Sequence, residues 1–272
     1  MNQETFPPRR NQTIRRFAVQ LWKSVTSVKF YQELAGRPFS EGIKYFSFLI
    51  FLVALLFTLR LTLDLSRNLK AFERWSKDHL PEIVVEKGKV TVDVPQPWRF
   101  EGEHFVVVID TRGGSREIGE SYAQGVLITK DKLILKRGPL MERRFDLSEI
   151  ESLRVTPETI HNWRTLILWI SPPLLVCILF FYFWVGKFIQ VILFSTLSLL
   201  ANGIGRKGLS YETLFIIGLY ALSAPLLLLS FFILLGFGIH SFDMVYLAIY
   251  GALLVTTVLQ YPPRKKLEEQ LP

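Results

Sequence analysis

The chain has 272 residues, of which 50% are hydrophobic and 14% aromatic, and this composition places it in the membrane class. Its formal charge of +8 does not indicate nucleic-acid binding, because residues 65–164 hold 17 Lys/Arg against 16 Asp/Glu. The surplus lies in residues 1–44 and in short clusters beside apolar runs, where the positive-inside rule places cations. We therefore expect no nucleic-acid partner.

The first predicted element is a basic amphipathic helix within a cytoplasmic segment, residues 1–42, that begins as a polar tail. From Ile14 onward, apolar residues recur at helical spacing and the cations lie off that stripe. The stripe consists of Ile14, Phe17, Leu21, Trp22, Val25 and Val28. Two placements remain open. The helix lies on the inner leaflet with membrane lipid as its partner, or it packs on the protein's own cytoplasmic side.

Residues 43–64 form the first predicted transmembrane helix. Arg60 and Asp64 are four residues apart near its outer end, so they can pair at the interface, where snorkelling lowers the cost of a charge. Their alternative role is that of charges in a translocation path. Helical spacing continues beyond the span and stops before Pro81, which predicts that the helix extends outward as a stalk.

Residues 65–164 are predicted to be extracytoplasmic, as the stalk followed by a small antiparallel β domain inserted after the first span. Alternating apolar and polar residues indicate one hairpin that turns at Lys87-Gly88 and a second that turns at Lys130-Asp131. Residues 142–147 can add a further strand.

Asp110 follows the short apolar run 105–109 and is the acid most suggestive of chemistry in this domain. A phosphoryl-transfer enzyme of the phosphatase pattern needs a second acid two residues later, and that position is Arg112. We therefore expect the Asp110 carboxylate to bond the local backbone in a turn.

Residues 165–261 are predicted to form a transmembrane helical bundle, and residues 262–272 a cytoplasmic tail. Residues 166–200 contain one charge, Lys187, and are too long for an upright span, because a helix rises about 1.5 Å per residue and the hydrocarbon core is about 30 Å thick. If this run crosses once, tilted and kinked, the chain has four spans; if it forms a hairpin at Gly186-Lys187, it has five.

The distribution of Lys and Arg favours four spans, with both termini in the cytoplasm. That topology leaves Lys187 and Gln190 at membrane depth. Together with Arg60 and Asp64, they are the candidate intramembrane polar residues.

No catalytic or metal-binding pattern stands out in the sequence. The four histidines have no metal-ligand spacing, and the single cysteine, Cys177, excludes an intramolecular disulfide. The sequence therefore predicts a protein that is not an enzyme and that has no cofactor.

Several segments resemble a known family. SVKFYQEL at residues 27–34, LPEIVVEKGKVTVD at 80–93 and VVVIDTRGG at 106–114 resemble an uncharacterised family of bacterial integral membrane proteins often labelled maltodextrin utilisation proteins. GLSYETLFIIGLYALSAPLLL at residues 208–228 also looks like a span of the wider Yip-type membrane group. The resemblance implies a bacterial plasma membrane and a link to sugar uptake, and it carries over no catalytic residue.

The leading functional hypothesis is an accessory or sensory membrane protein whose outer β domain binds a protein partner. The candidate binding residues in that domain are Trp98, Phe100, Asp110 and Tyr122. Their aromatic rings could instead stack on a sugar or form the core of a small sandwich. One alternative function is a transport component with a polar path through the bundle. Another is a membrane hydrolase, which would need a titratable cluster that the sequence does not show.

Overall fold

The computed structural model describes residues 9–102, 105–114, 117–119, 122–138, 141–237 and 243–262, so residues 1–8 and most of the predicted C-terminal tail lie outside the described residues. The chain divides into two compact units. Unit 1 comprises Met1–Leu63 and Ser171–Pro272, and unit 2 comprises Asp64–Ile170.

Helices account for most of unit 1. In the part of the chain that the structure describes, they are α1 (Arg9–Thr26), α2 (Val28–Gln32), α3 (Phe39–His79), α4 (Pro157–Ile204), α5 (Tyr211–Ala221), α6 (Ser223–Leu234) and α7 (Asp243–Gln260). Three segments are long and apolar enough to cross a membrane, namely α3, α4 and the α5–α6 pair, and α7 contains a shorter apolar stretch. This is the architecture of a helical membrane protein.

The long apolar run is a single helix. α4 continues through Pro172-Pro173 and through Gly186-Lys187, so the turn that a five-span chain would need at Gly186 is absent from this helix. Prolines are tolerated within membrane helices because neighbouring groups can satisfy the carbonyls that lose a donor. The predicted continuation of the first apolar helix is confirmed, since α3 runs without interruption to His79, and its outward direction stays a prediction.

The core of unit 1 is centred on α5 and α6. Eight successive residues, 214–221, are buried in α5. The pair of helices breaks at Leu222, three residues before Pro225. The proline ring removes the donor that would reach the Ala221 carbonyl, and proline is accepted in the first turn of the helix that follows.

The N-terminal helix divides its apolar stripe between two environments. Phe17 and Leu21 pack against the core of unit 1, whereas Ile14, Val25 and Trp22 remain exposed, Trp22 at 72%. α1 begins at Arg9, so the helix starts five residues before the first member of the predicted stripe, Ile14. The helix therefore packs on its own protein and still presents an apolar face outward.

Unit 2 contains two small sheets between the last turns of α3 and the first turns of α4. Its strands are β1 (Ile83–Glu86), β2 (Lys89–Val92), β3 (Trp98–Glu101), β4 (Phe105–Asp110), β5 (Gln124–Thr129), β6 (Lys132–Arg137), β7 (Glu142–Asp146) and β8 (Ser152–Val155). The sheet orders are β2-β1-β8 and β3-β4-β5-β6-β7. Both predicted hairpins are confirmed, β1–β2 with Lys87 and Gly88 at positive φ and β5–β6 across Lys130-Asp131.

The prediction of a purely antiparallel domain is wrong, because β4 and β5 are parallel, with Val106 opposite Gly125. Parallel neighbours need a crossover, and residues 111–123 supply it. Ile118 in this crossover packs in a buried cluster with Val106 and Leu127. The apolar runs indicate the strands but not their relative direction, which depends on the path of a polar connection.

Candidate functional site

Two of the four predicted intramembrane residues lie together, between α4 and α7. Lys187 Nζ donates to Gln190 Oε1 at 3.2 Å and lies 4.0 Å from the centre of the Tyr246 ring. The Tyr246 hydroxyl donates to the same Gln190 oxygen at 3.1 Å. Tyr246 was not singled out in the sequence, because a tyrosine in an apolar helix carries no signal of a specific contact.

This arrangement stabilises a cation within an apolar helix. The Tyr246 ring attracts the ammonium group electrostatically, and the Gln190 side-chain carbonyl accepts a hydrogen bond from it. The amide Nε2 of Gln190 is buried without an acceptor, so one donor of the cluster remains available to a further ligand. The small cavity beside Tyr246, of about 10 Å³, is lined otherwise by apolar residues and by neither Lys187 nor Gln190.

Arg60 and Asp64 lie elsewhere on α3. The Arg60 guanidinium is close to Gly236, where an added Cβ would be 3.4 Å from Nη2. Asp64 is 3.7 Å from Arg67, one turn further along the helix. These two residues therefore do not belong to the Lys187 cluster.

The candidate residues of unit 2 fall into separate surroundings. Trp98 packs against the cluster that joins the two sheets, and Tyr122 packs against the cluster on the other face of the larger sheet. Asp110 is buried and accepts a hydrogen bond from the Arg112 amide at 3.1 Å, as the predicted turn requires. A hydrogen bond with Glu101 raises the pKa of the Tyr122 hydroxyl. Trp98, Asp110 and Tyr122 thus do not share one binding surface.

Phe100 is part of a partly exposed group of aromatic rings, which we call the aromatic patch. Its members are Phe72, Trp75, His79, Phe100 and Phe105. The ring of Phe100 lies 4.9 Å from Trp75 and 5.1 Å from His79, both edge to face. The patch therefore combines three rings from the end of α3 with two from the strand pair β3–β4.

A buried carboxylate lies on the same part of α3, and sequence reasoning missed it. Glu73 Oε2 accepts from Arg164 at 2.7 Å, and Glu73 Oε1 is 3.0 Å from His161 Nδ1 and 3.1 Å from Lys77 Nζ. We call these four residues the Glu73 clamp. His161 and Arg164 belong to α4 and are far from Glu73 in the sequence, so no helical spacing could reveal the cluster.

The electrostatics of the clamp favour the ionised carboxylate. The hydrogen bond from His161 and then that from Lys77 lower the pKa of Glu73 below its ordinary value. Lys77, His161 and Arg164 all contact this one carboxylate, so loss of Glu73 would leave all three without this partner. The clamp fixes α3 against α4 within unit 2, where β1 and β8 also pair antiparallel.

A network of hydroxyl groups crosses the core of unit 1. The Tyr45 hydroxyl lies 3.0 Å from Ser24 Oγ and 2.5 Å from Ser223 Oγ, and its ring stacks on Tyr220 at 4.0 Å. Tyr31 donates to the Ser24 carbonyl at 2.6 Å. The network ties α1, α2, α3 and α6 together through groups that are satisfied inside the protein.

The described residues contain no group of three or more His, Cys, Asp or Glu side chains that could hold a metal ion. The single cysteine, Cys177, is a free thiol on α4. The groupings of polar and aromatic side chains described above are the aromatic patch and the Glu73 clamp in unit 2 and the Lys187 cluster in unit 1.

These features define the chain as a helical membrane protein with a β unit inserted between two of its helices. The family described as protein of unknown function (DUF1189) matches residues 19–259, so the chain belongs to that family. No curated protein matches the chain, and no solved structure matches it. The match extends from α1 to the last turn of α7 and thus includes both units.

Proposed function

We propose that this protein is a non-catalytic accessory or sensory component of a bacterial plasma membrane, with unit 2 outside the cell and the N-terminus in the cytoplasm. Unit 2 binds a partner protein, and the complex serves carbohydrate uptake, with maltodextrins as the first class to test. The observation that carries the proposal is the aromatic patch, which lies on the same turns of α3 as the Glu73 clamp.

The patch has the chemistry of a protein-binding surface. Aromatic side chains dominate the binding energy of protein interfaces because they bury a large area and lose little conformational entropy. Phe105 is 40% exposed, so it can contact a partner without any rearrangement of the sheet. The rings contact one another, Trp75 and Phe100 edge to face and Phe100 and Phe105 tilted, which preorganises the surface.

The clamp offers a route from binding to the membrane. Trp75 of the patch and Glu73 of the clamp are two residues apart on α3, so a partner that shifts Trp75 disturbs the pairing with His161 and Arg164. Both α3 and α4 continue without a break into the apolar segments of unit 1. A change in their pairing is therefore a signal that continuous helices can transmit.

Topology is tested by labelling single cysteines with a membrane-impermeant maleimide in intact cells, on a Cys177→Ser background. We expect Lys130→Cys, in the exposed β5–β6 turn, to react from outside, and Lys29→Cys, exposed on α2, to react only after permeabilisation. Labelling in the opposite order would overturn the proposed orientation.

Partner binding is tested by placing a photo-crosslinking phenylalanine analogue at Phe105 or at Phe145 of the full-length protein in membranes. Phe145 is 45% exposed but lies on β7, at the opposite edge of the sheet from β3, so it is a matched control. We expect one dominant crosslinked protein at Phe105 and none at Phe145. Equal products at both positions, or none at either, would contradict the proposal.

Function and sugar binding are separated by two further measurements. Phe105→Ser should impair growth on maltodextrin, whereas Phe145→Ser should not. A maltodextrin-induced rise in the melting temperature of the full chain, abolished by Phe105→Ser, would replace the protein partner with a sugar.

The Lys187 cluster favours a second function, a transport component. The buried Gln190 amide without an acceptor and the Lys187 ammonium are groups that a passing polar solute could use. Lys187→Leu distinguishes the two functions, because a transport path predicts lost flux with normal folding. A role in packing predicts unchanged flux, or a change in melting temperature alone.

A further inference from the structure

We infer that unit 1 holds a binding site for the phosphate of an anionic lipid headgroup, in a basic cavity under α1. The cavity has a volume of about 380 Å³, within the range of small-molecule sites. Its lining consists of Arg15, Arg16, Val19, Gln20, Lys23, Phe30 and Arg37. This inference does not depend on the proposed function, because it concerns unit 1 alone.

Four cations line the cavity, and its lining includes no carboxylate among the residues that the structure describes. Arg16 pairs with Glu41 at 2.8 Å, and Lys23 is 4.0 Å from Glu33, so two carboxylates lie beside the cavity without cancelling its charge. The surplus is positive. Phosphate oxygens are the ligands that guanidinium groups bind best, in a planar, two-pronged geometry.

Arg37 is held in place before any ligand arrives. Its Nε donates to the Glu33 carbonyl at 3.3 Å, and its guanidinium lies 5.3 Å from the centre of the Phe30 ring, which is itself buried. The guanidinium also interacts with the Tyr220 hydroxyl, and its five N–H groups exceed the number that these contacts use. A cation fixed in this way loses less conformational freedom on binding than a free surface lysine.

The position of the cavity on α1 indicates a lipid as the source of the phosphate. Successive helical residues are about 100° apart around the axis, and the residues of α1 group into three faces by burial and residue type. Phe17 and Leu21 face the core of unit 1, Ile14, Trp22 and Val25 form an exposed apolar face, and Arg15 with Lys23 lies beyond it. An apolar face next to a cationic one is the arrangement of helices that lie in the membrane interface, at the depth of the headgroups.

The test uses the full-length protein in neutral detergent, where no charged bilayer surface is present. Native mass spectrometry measures binding of phosphatidylglycerol, of phosphatidylcholine and of inorganic phosphate. We expect saturable binding of phosphatidylglycerol, with phosphatidylcholine at least about tenfold weaker, because the choline cation beside its phosphate is repelled by the four cations of the lining.

Arg37→Gln and Lys29→Gln form the matched pair of variants. Each removes one positive charge from the α1–α3 region, but Lys29 is exposed on α2 and is not among the residues that line the cavity. We expect Arg37→Gln to weaken phosphatidylglycerol binding about tenfold and Lys29→Gln to change it less than about twofold. Arg15→Gln, which leaves the Arg37 contacts intact, repeats the test if Arg37→Gln lowers the melting temperature.

Three results would overturn the inference. Equal weakening by Arg37→Gln and Lys29→Gln would indicate diffuse attraction rather than a site. Binding of phosphatidylglycerol that does not saturate would indicate the same. Inorganic phosphate that binds as tightly as phosphatidylglycerol would assign the cavity to a soluble anion.

Discussion

Two apolar regions of this protein have the same hydropathy and opposite surroundings. The most apolar windows of α4 and of the α5–α6 pair both have a mean hydropathy of 2.3, yet 67% of the α5–α6 window and 0% of the α4 window is buried inside the protein. In water, the apolar side chains of a helix such as α4 would have to be buried by other parts of a protein. In a membrane, lipid tails cover it, so hydropathy indicates membrane depth but not a place in the core.

The difference is visible in the residues that line each helix. α5 is buried at every residue from 214 to 221, and at Gly218 it closely approaches Ser195 and Tyr250. α4 exposes large side chains over most of its length and is buried at Val191, Ser195 and Ser198. We therefore expect matched substitutions in the two helices to have different effects.

The largest expected difference concerns two tyrosines. Tyr220→Ala in α5 removes a fully buried ring that stacks on Tyr45, and we expect it to lower the free energy of unfolding by about 3 kcal/mol through loss of contacts and a residual cavity. Tyr182→Ala in α4 removes an exposed ring and should cost less than about 0.5 kcal/mol. Denaturant unfolding in detergent measures both, and equal losses would contradict the contrast.

Two glycines test the same contrast by addition of volume. A Cβ at Gly218 would lie 2.9 Å from Ser195 Oγ and 3.1 Å from Val191 Cγ1, whereas a Cβ at Gly186 in α4 meets nothing within 4 Å. We expect Gly218→Leu to cost about 2 kcal/mol by overpacking and Gly186→Leu to be neutral. A destabilised Gly186→Leu variant would show that α4 has a protein neighbour on that face.

The contrast ends in the first turns of α4, where the Glu73 clamp makes that helix part of a packed structure. Because the pKa of Glu73 is lowered in the folded protein, its stabilising contribution is present above the ordinary glutamate pKa and is lost as the pH falls through the lowered value. On acidification, the melting temperature of the wild type should therefore fall more than that of the Glu73→Gln variant.

Glu82→Gln is the control for this pH dependence. Glu82 pairs with Arg154 at 3.2 Å, but both side chains are exposed, and exposed ion pairs contribute little. The Glu82→Gln variant should keep the acid sensitivity of the wild type. If Glu73→Gln keeps it as well, the clamp does not control the acid response.

The smallest expected effect concerns two hydroxyl groups. Ser223→Ala removes a partner of Tyr45 inside the bundle and should cost about 0.6 kcal/mol, the usual size of such hydrogen bonds in membrane helices. Thr196→Ala on α4 removes an exposed hydroxyl that donates to the Ile192 carbonyl of its own helix and lies 3.5 Å from the Tyr211 hydroxyl, and it should cost less. The melting temperatures of the two variants in the same detergent provide the comparison.

Much of the secondary structure could be predicted, because it depends on local patterns. The extension of α3 to His79, the turn at Lys87-Gly88 and the backbone bond of Asp110 all follow from residues that are neighbours in the chain. The parallel β4–β5 pair and the short strand β8 could not be predicted in the same way. Their positions depend on partners that are distant in the sequence.

The candidate site residues divide along the same line. Lys187 and Gln190 could be singled out because a charge or an amide is rare in an apolar helix, but Tyr246 could not. Glu73 is one of many charged residues at the polar end of α3 in the sequence, and only its contacts with His161 and Arg164 distinguish it. The free-energy cost of burying a charge can be recognised from the sequence only where the neighbouring residues in the chain are apolar.

The residue pattern alone indicates apolar helices long enough to span a membrane, and a polar segment rich in strand patterns between them. Hydropathy and turn chemistry are local properties, and transfer from water to lipid depends on composition along a stretch of chain. The burial of α5 and α6, the exposure of most of α4 and the burial of Glu73 follow from the folded structure. Lipid and protein interior are equally apolar, so the choice between them depends on shape and on contacts between residues far apart in the chain.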